Sequence, residues 1–173
     1  MSFSIVEAKN RSFAQYLSAV RPSKKQSRLK IYERNRHRIY SLAFWMTDNE
    51  LVAEELMKQS FCRSFAGNEE PDSDDIDRAL IAELRASIPL GNLTLQCAPS
   101  RQVRSVRRNT LRVHLERAVV QLPSTEKLIF LLHDVEGYAH ASVARLLGVT
   151  EDDSCCGLHQ ARLRLRELLA EAK

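Results

Sequence analysis

Two thiols and an imidazole occupy adjacent turns of the last helix that the sequence predicts. Cys155 and Cys156 precede His159 by four and three residues, so all three can lie on neighbouring parts of one helix. Such groups can bind a metal ion or take part in redox chemistry, but a structural zinc site needs four ligands. No fourth ligand stands at a suitable spacing, so we predict no metal and no cofactor. The chain has two further cysteines, Cys62 and Cys97, and no two of the four form a Cys-x-x-Cys pair. Reduced thiols are therefore the default expectation in the cytoplasm.

Arginines form a second group with chemical potential, because a guanidinium group can bind phosphate through two parallel hydrogen bonds. Four of them recur at helical spacing within residues 97–115, which contain no acid. Others follow near the C-terminus. The alternative for each is a solvated helix face whose aliphatic stems cover apolar surface. The candidate phosphate ligands are Arg101, Arg104, Arg108, Arg112, Arg145, Arg162 and Arg164.

Charge alternates along the chain although the net charge is only +4. Residues 1–46 and 97–115 are basic, whereas residues 47–96 are acidic. Such alternation suits a protein with one face toward nucleic acid and another toward a protein, although ordinary solvated helix faces are an equal alternative.

The 173-residue sequence lacks the patterns of membrane-spanning proteins, secreted proteins and common enzyme classes. No apolar run approaches the roughly 20 residues that span a bilayer. The N-terminus lacks a charged segment before an apolar core, so we expect a cytoplasmic chain. No Gly-rich phosphate loop and no Ser-His-Asp order appears, so we predict that the protein is not an enzyme.

Apolar residues recur at helical spacing throughout, which predicts an all-α fold. The basic pair Lys24-Lys25 is interpreted as a hinge, and the second helix is predicted to bury Leu51 and Val52. Gly137 and Gly148 stand where a left-handed backbone suits glycine. Helices are predicted over about 27–46, 50–65, 76–88, 100–121, 125–135, 140–147 and 151–170.

Two small helical domains joined by a linker follow from this element order. The last two helices, with Gly148-Val149 between them, have the pattern of a helix-turn-helix. Such a motif places its second helix in the major groove of DNA. The predicted parts are a basic extension over 1–26, a helical domain over 27–90, a linker over 91–103 and a helix-turn-helix domain over 104–173.

Two separated segments of the chain resemble the bacterial extracytoplasmic-function (ECF) sigma factors. The first runs from Tyr32 to Phe65 and contains IYSLAFWMTDNELVAEELMKQSFCRSF. The second runs from Leu115 to Leu169 and contains LERAVVQLPSTEKLIFLLHDVEGYAHASVARLLGV, followed by LHQARLRLRELL. The order of Leu-Pro, Asp-x-Glu-Gly-Tyr, Ala-x-x-Leu-Gly-Val and Leu-His-x-Ala-Arg carries the resemblance. Together the segments cover about half of the chain.

The resemblance implies core RNA polymerase, promoter DNA and an anti-sigma factor wedged between the domains as partners. The first segment corresponds to the family's polymerase-binding helix, although Lys58 stands where the family usually has Gln. The implied polymerase contacts are Glu54, Glu55, Leu56, Lys58, Gln59 and Phe61. The implied DNA contacts of the second segment are Arg145, Ser154, Cys155, Gly157, His159, Arg162 and Arg164. From its charge and spacing, the arginine stripe at positions 101, 104, 108 and 112 is a separate candidate for a nucleic-acid or polymerase surface.

The sequence departs from the family pattern at the start of the recognition helix. Family members usually carry a Gly-Thr-Val-Lys-Ser-Arg-like run where this chain has Asp152-Asp153-Ser154-Cys155-Cys156-Gly157. Asp153 can cap the helix with Thr150, and acids stabilise a helix N-terminus, but both acids repel DNA phosphate. In addition, no aromatic residue occurs between Ala66 and Ile129, and aromatic stacking usually captures single-stranded DNA.

Two hypotheses follow. In the first, the chain is an ECF-type sigma factor that directs promoter-specific initiation. In the second, it is a sigma-like binding module that sequesters an anti-sigma factor or polymerase without reading promoters.

Overall fold

A computed structural model describes residues 22–95 and 112–171 of the chain, and every regular element in those ranges is helical. The predicted all-α fold is therefore confirmed. Among the described residues, no helix combines the length and the apolar character that crossing a bilayer requires. The helices are α1 (Pro22–Thr47), α2 (Glu50–Gly67), α3 (Ser73–Arg85), α4 (Arg112–Val120), α5 (Ser124–Phe130) with a π-helical turn (Leu131–Val135), α6 (His140–Leu147) and α7 (Glu151–Glu171).

The described residues divide into two compact units. The first comprises α1 up to Ala43 together with Glu50–Glu83. The second comprises Phe44–Asn49 and the described chain from Leu84 onward.

Helix α1 begins earlier than the sequence pattern predicts. Its first residue is Pro22, and Lys24 and Lys25 lie within the helix, so the predicted hinge at these lysines is wrong. Proline suits the first turn of a helix because the N–H group that it lacks would have no helical partner there. At the other end Asp48 adopts a φ of 51°, and its N–H donates to the carbonyl oxygen of Phe44.

The acidic loop between α2 and α3 acts as a helix cap. Asp72 Oδ1 accepts the backbone N–H of Asp75 at 2.8 Å, and Asp75 Oδ2 accepts the N–H of Asp72 at 3.3 Å. This reciprocal pair satisfies two N–H groups that a helix start leaves without helical partners. Helix α3 consequently begins at Ser73, three residues before its predicted start.

Aromatic side chains form the centre of the first unit. The Tyr32 and Phe61 rings meet edge to face at a centroid distance of 4.9 Å, and Phe65 stacks on Phe61 at 6.1 Å. The Arg28 guanidinium lies 5.3 Å from the Phe65 ring centroid. Phe61 is fully buried, as is Ile39 on α1.

A buried ion pair joins α1 to α3 in the same unit. Asp77 is almost fully buried, and its Oδ1 lies 2.6 Å from Nη1 of Arg38. Asn35 Oδ1 accepts from both Arg38 and Ser73. The helical pattern of α3 gave no sign of this pair, because Arg38 stands 39 residues away in sequence.

The second unit has an aliphatic core. Helix α5 continues into the π-helical turn, where the Glu136 N–H reaches the Leu131 carbonyl oxygen at 3.0 Å. Helices α6 and α7 pack against this pair. The fully buried aliphatic side chains of this unit include Leu128, Ile129, Leu131, Leu132 and Leu147.

We expect Asp77→Ala to lower the free energy of unfolding by about 3 kcal/mol, because it leaves the partly buried Arg38 charge without its carboxylate. Urea unfolding followed by circular dichroism measures the change. Arg78→Ala, which removes an exposed ion pair with Asp75, should cost less than about 1 kcal/mol. Equal losses in the two variants would contradict a special role for the buried pair.

Candidate nucleic-acid interface

The two helices of the predicted helix-turn-helix meet at a left-handed glycine. Gly148 follows α6 with a φ of 66°, and Gly137 before α6 has a φ of 78°. The predicted left-handed backbone at both glycines is confirmed. Val149 then donates its N–H to the Ala144 carbonyl oxygen, which closes the turn before α7.

The start of α7 is capped by its own side chains. The Asp153 N–H donates to Thr150 Oγ1 at 3.0 Å, while Asp153 Oδ2 accepts from the Thr150 hydroxyl at 2.6 Å and from the Thr150 N–H at 3.1 Å. The predicted capping pair is confirmed. These bonds, with that from the Thr150 hydroxyl foremost, lower the pKa of Asp153. Glu151 and Asp152 remain exposed, so the end of α7 that would enter a DNA groove is acidic.

The predicted DNA contacts on α7 divide between surface and interior. Cys155, His159 and Arg162 are exposed. Ser154 is fully buried, and its Oγ lies 3.0 Å from His140 Nδ1. Gly157 is also buried. Packing within the domain covers both Ser154 and Gly157, so neither is exposed to DNA in this structure.

Close packing explains the glycine at position 157. A Cβ atom there would lie 2.6 Å from Ile129 Cδ1 and 2.8 Å from Leu93 Cδ2, far inside van der Waals contact. Only glycine lets both side chains approach α7 so closely. The sequence shows the departure from the family pattern but cannot show its cause, since Leu93 lies 64 residues earlier in the numbering.

A buried carboxylate holds the segment that carries Leu93. Glu126 is fully buried, and its Oε1 accepts the backbone N–H groups of Thr94 and Leu95 at 2.5 and 2.6 Å. The Gly91 N–H donates to Thr125 Oγ1 at 3.2 Å. Residues 91–95, which the sequence assigns to a linker, thus lie against α5 and α7. Charge-assisted bonds of this kind are about twice as strong as neutral ones.

Arg162 is already paired within the domain. Its Nε and Nη2 donate to the two carboxylate oxygens of Asp134 at 2.9 and 2.6 Å. The pair lowers the pKa of Asp134 and raises that of Arg162, in both cases mainly through these hydrogen bonds. Two of its five N–H groups are thus engaged, and the half-exposed side chain can offer others to phosphate.

The remaining predicted arginines differ in their surroundings. Arg164 Nη1 bonds Glu167 at 3.1 Å, and Arg145 is exposed on α6. Arg112 is exposed but bonds Glu116 at 2.6 Å, so the interpretation of the arginine stripe as free of acids is wrong at this end. The other stripe residues, Arg101, Arg104 and Arg108, lie outside the described residues.

The cysteines do not all conform to the expectation of reduced thiols. Cys62 and Cys155 are free, whereas Cys156 is disulfide-bonded. The expectation of a reduced thiol is therefore wrong for Cys156. Cys97 lies outside the described residues. Within the described ranges, no three His, Cys, Asp or Glu side chains are grouped closely enough to hold a metal ion.

The predicted polymerase contacts on α2 also divide between surface and core. Glu55, Lys58 and Gln59 are exposed and bonded to one another through the Glu55 carboxylate, and Glu54 is half-buried. Leu56 and Phe61 are buried, so both pack α2 against the core and neither is exposed to a partner in this structure.

Two apolar side chains on α2 are exposed, contrary to the sequence prediction. Leu51 is 65% exposed and Val52 42%. The buried face combines the predicted core residues Leu56, Phe61 and Phe65 with the small residues Ala53, Ser60 and Ser64, which the apolar pattern alone does not reveal.

Known proteins are similar to this chain in the sequence of its C-terminal part and in its fold. The family model for sigma-70, region 4 matches residues 112–154, which ends just before Cys155. The sigma factor RpoE of Bartonella quintana, solved in complex with the anti-sigma factor NepR, has a similar structure with a TM-score of 0.60. It is 15% identical, and the match covers 86% of this chain and 98% of that chain, so the two share a fold. No curated protein sequence matches the chain. These findings support the resemblance to the ECF sigma factors.

We expect Gly157→Ala to displace Leu93, because Ile129 is fully buried and residues 91–95 are the part of this contact that can move. Limited proteolysis should cut residues 91–95 roughly tenfold faster in the variant, which corresponds to a loss of about 1.4 kcal/mol of local stability. Gly67→Ala is the control, since nothing lies within 4 Å of a Cβ atom there. Unchanged cleavage in Gly157→Ala would contradict the packing argument.

Proposed function

We propose that this chain is an ECF-type sigma factor that directs promoter-specific transcription initiation. The premise is that residues 112–154 match sigma-70, region 4 and that the chain has the fold of a sigma factor. The observation that carries the proposal is the helix-turn-helix with its confirmed glycine turn and capped second helix. A helix-turn-helix presents its second helix to the major groove while its first helix crosses the DNA backbone.

The polymerase-binding surface in this proposal is the exposed face of α2. Glu55, Lys58 and Gln59 supply polar contacts, and Glu54 lies at their edge. The exposed Leu51 and Val52 add apolar area, which gives the surface an anchor that charge alone lacks.

The DNA-binding surface is proposed to be the outer face of α7 with Arg145 beside it. Arg162 is the principal phosphate ligand, because Asp134 fixes its guanidinium plane and thereby reduces the side-chain entropy lost on binding. Cys155 and His159 face outward on the same helix and lie nearest to base edges. Arg164 and Arg112 are secondary candidates because each is bonded to an acid on its own helix.

A second function is favoured by one observation, the exposed acids at the tip of α7. Glu151 and Asp152 stand where a groove-reading helix approaches phosphate, and like charges repel there. In this alternative the chain is a sigma-like module that sequesters an anti-sigma factor or polymerase. Because the similar structure was solved with the anti-sigma factor NepR, we propose an anti-sigma protein as a partner in either case.

Run-off transcription with core RNA polymerase and a pool of genomic promoter fragments separates the two functions. We expect promoter-specific transcripts that depend on the added chain. Glu55→Arg should abolish them together with binding to the core enzyme, because it reverses a charge on the proposed polymerase-binding surface. Arg78→Ala is a control outside that surface. Core binding by the unaltered chain without any specific transcript would overturn the first function and support the second.

We expect Arg162→Ala to reduce the salt dependence of DNA binding by the full chain. Losing one phosphate contact should lower the slope of log Kobs against log salt by about 1. Fluorescence anisotropy across a salt series measures the slope. Arg78→Ala, an exposed arginine on α3 that is also bonded to an aspartate, is the matched control. Equal slopes for Arg162→Ala and the unaltered chain would exclude Arg162 as a phosphate ligand.

A further inference from the structure

Two histidines stack at the centre of the helix-turn-helix domain. The His133 ring on the π-helical turn and the His140 ring at the start of α6 have a centroid distance of 4.3 Å and an interplanar angle of 29°. Both rings are partly shielded from solvent. Neither histidine belongs to the interface described above.

Each imidazole is connected to a different turn of α7. His133 Nδ1 lies 2.9 Å from Asp134 Oδ1, and the same carboxylate accepts both hydrogen bonds from Arg162. His140 Nδ1 lies 3.0 Å from the buried Oγ of Ser154. The stacked pair therefore links three segments, since His140 on α6 contacts Ser154 of α7 directly and His133 reaches Arg162 of α7 through Asp134.

We propose that His133 and His140 are positioning residues for α7, and that protonation of His140 weakens the hold on this helix. The inference rests on the proposed function only in making α7 the binding element. The site disfavours a charge on His140, because its ring is stacked on His133 and partly removed from water.

The charged groups around His140 act in both directions. His133 on the π-helical turn and Arg162 on α7 oppose its protonation, whereas Asp134 on the turn and Glu151 on α7 favour it. Burial is the largest influence, and the pKa of His140 is lowered on balance.

The direction of the pH effect follows from this lowering. An unfolded histidine takes up a proton near pH 6.5, as a rough reference, before the folded one does. The His140 contribution to stability is therefore fully present above that pH. It is lost as the pH falls from about 6.5 toward the lowered pKa of the folded state. Acidification should loosen the junction between α6 and α7.

Hydrogen exchange of the full chain, without DNA or polymerase, tests this inference. After correction for intrinsic rates, amide exchange in α6 and the first turns of α7 should accelerate about fivefold between roughly pH 7.5 and pH 5.5. His140→Asn keeps a polar group near Ser154 but cannot become charged, so it should remove most of this acceleration. His37→Asn, an exposed histidine on α1, should leave it intact.

The inference is overturned if α7 exchanges equally fast at both pH values, or if His140→Asn and the unaltered chain show the same acceleration. Should His140→Asn fail to fold, His140→Gln also replaces the imidazole by an uncharged polar group and carries the same expectations. Because no DNA or polymerase is present, a failed transcription assay leaves this test unaffected. Conversely, loss of the pH effect would leave the proposed function standing.

Discussion

The buried carboxylate of Glu126 sets the constraint on which the helix-turn-helix domain depends. A carboxylate removed from water needs hydrogen-bond donors, and here Oε1 alone is supplied, by two consecutive backbone N–H groups of residues 94 and 95. These hydrogen bonds hold residues 91–95 in place and bring Leu93 against α7. The space that remains at position 157 accommodates only a glycine. A departure from the family pattern at the centre of the recognition helix is thus explained by packing around a charge rather than by a new ligand.

The same helix serves folding and binding with opposite preferences at its start. Acids at a helix N-terminus stabilise it through the helix dipole, and Thr150 with Asp153 completes the cap. Those acids reduce the attraction of this end for phosphate. In the proposed function, the phosphate contacts of α7 consequently lie further along the helix, at Arg162, where Asp134 holds the guanidinium in a fixed plane.

Sequence pattern is sufficient where the signal is local. Gly137, Gly148 and the Thr150-Asp153 spacing determine the turn and the cap, and helical periodicity gives the element order. It is insufficient where partners are distant, because Asp134 and Arg162 stand 28 residues apart and Glu126 lies more than 30 residues after the amides that it binds. The polar character of Ser154 does not predict its burial. The exposed face of α2 was also not predicted, because the opposite, buried face includes small residues that the apolar pattern does not mark.

The exposed Leu51 and Val52 have a consequence for the behaviour of the free chain. Apolar side chains grouped on a surface are covered in a complex, and without a partner they favour contact between copies of the same chain. Self-association depends on concentration, whereas the folded state of a single chain does not. Under the proposed function, a protein that covers α2 also keeps the chain soluble, and it limits how much unbound chain can accumulate before copies begin to cluster.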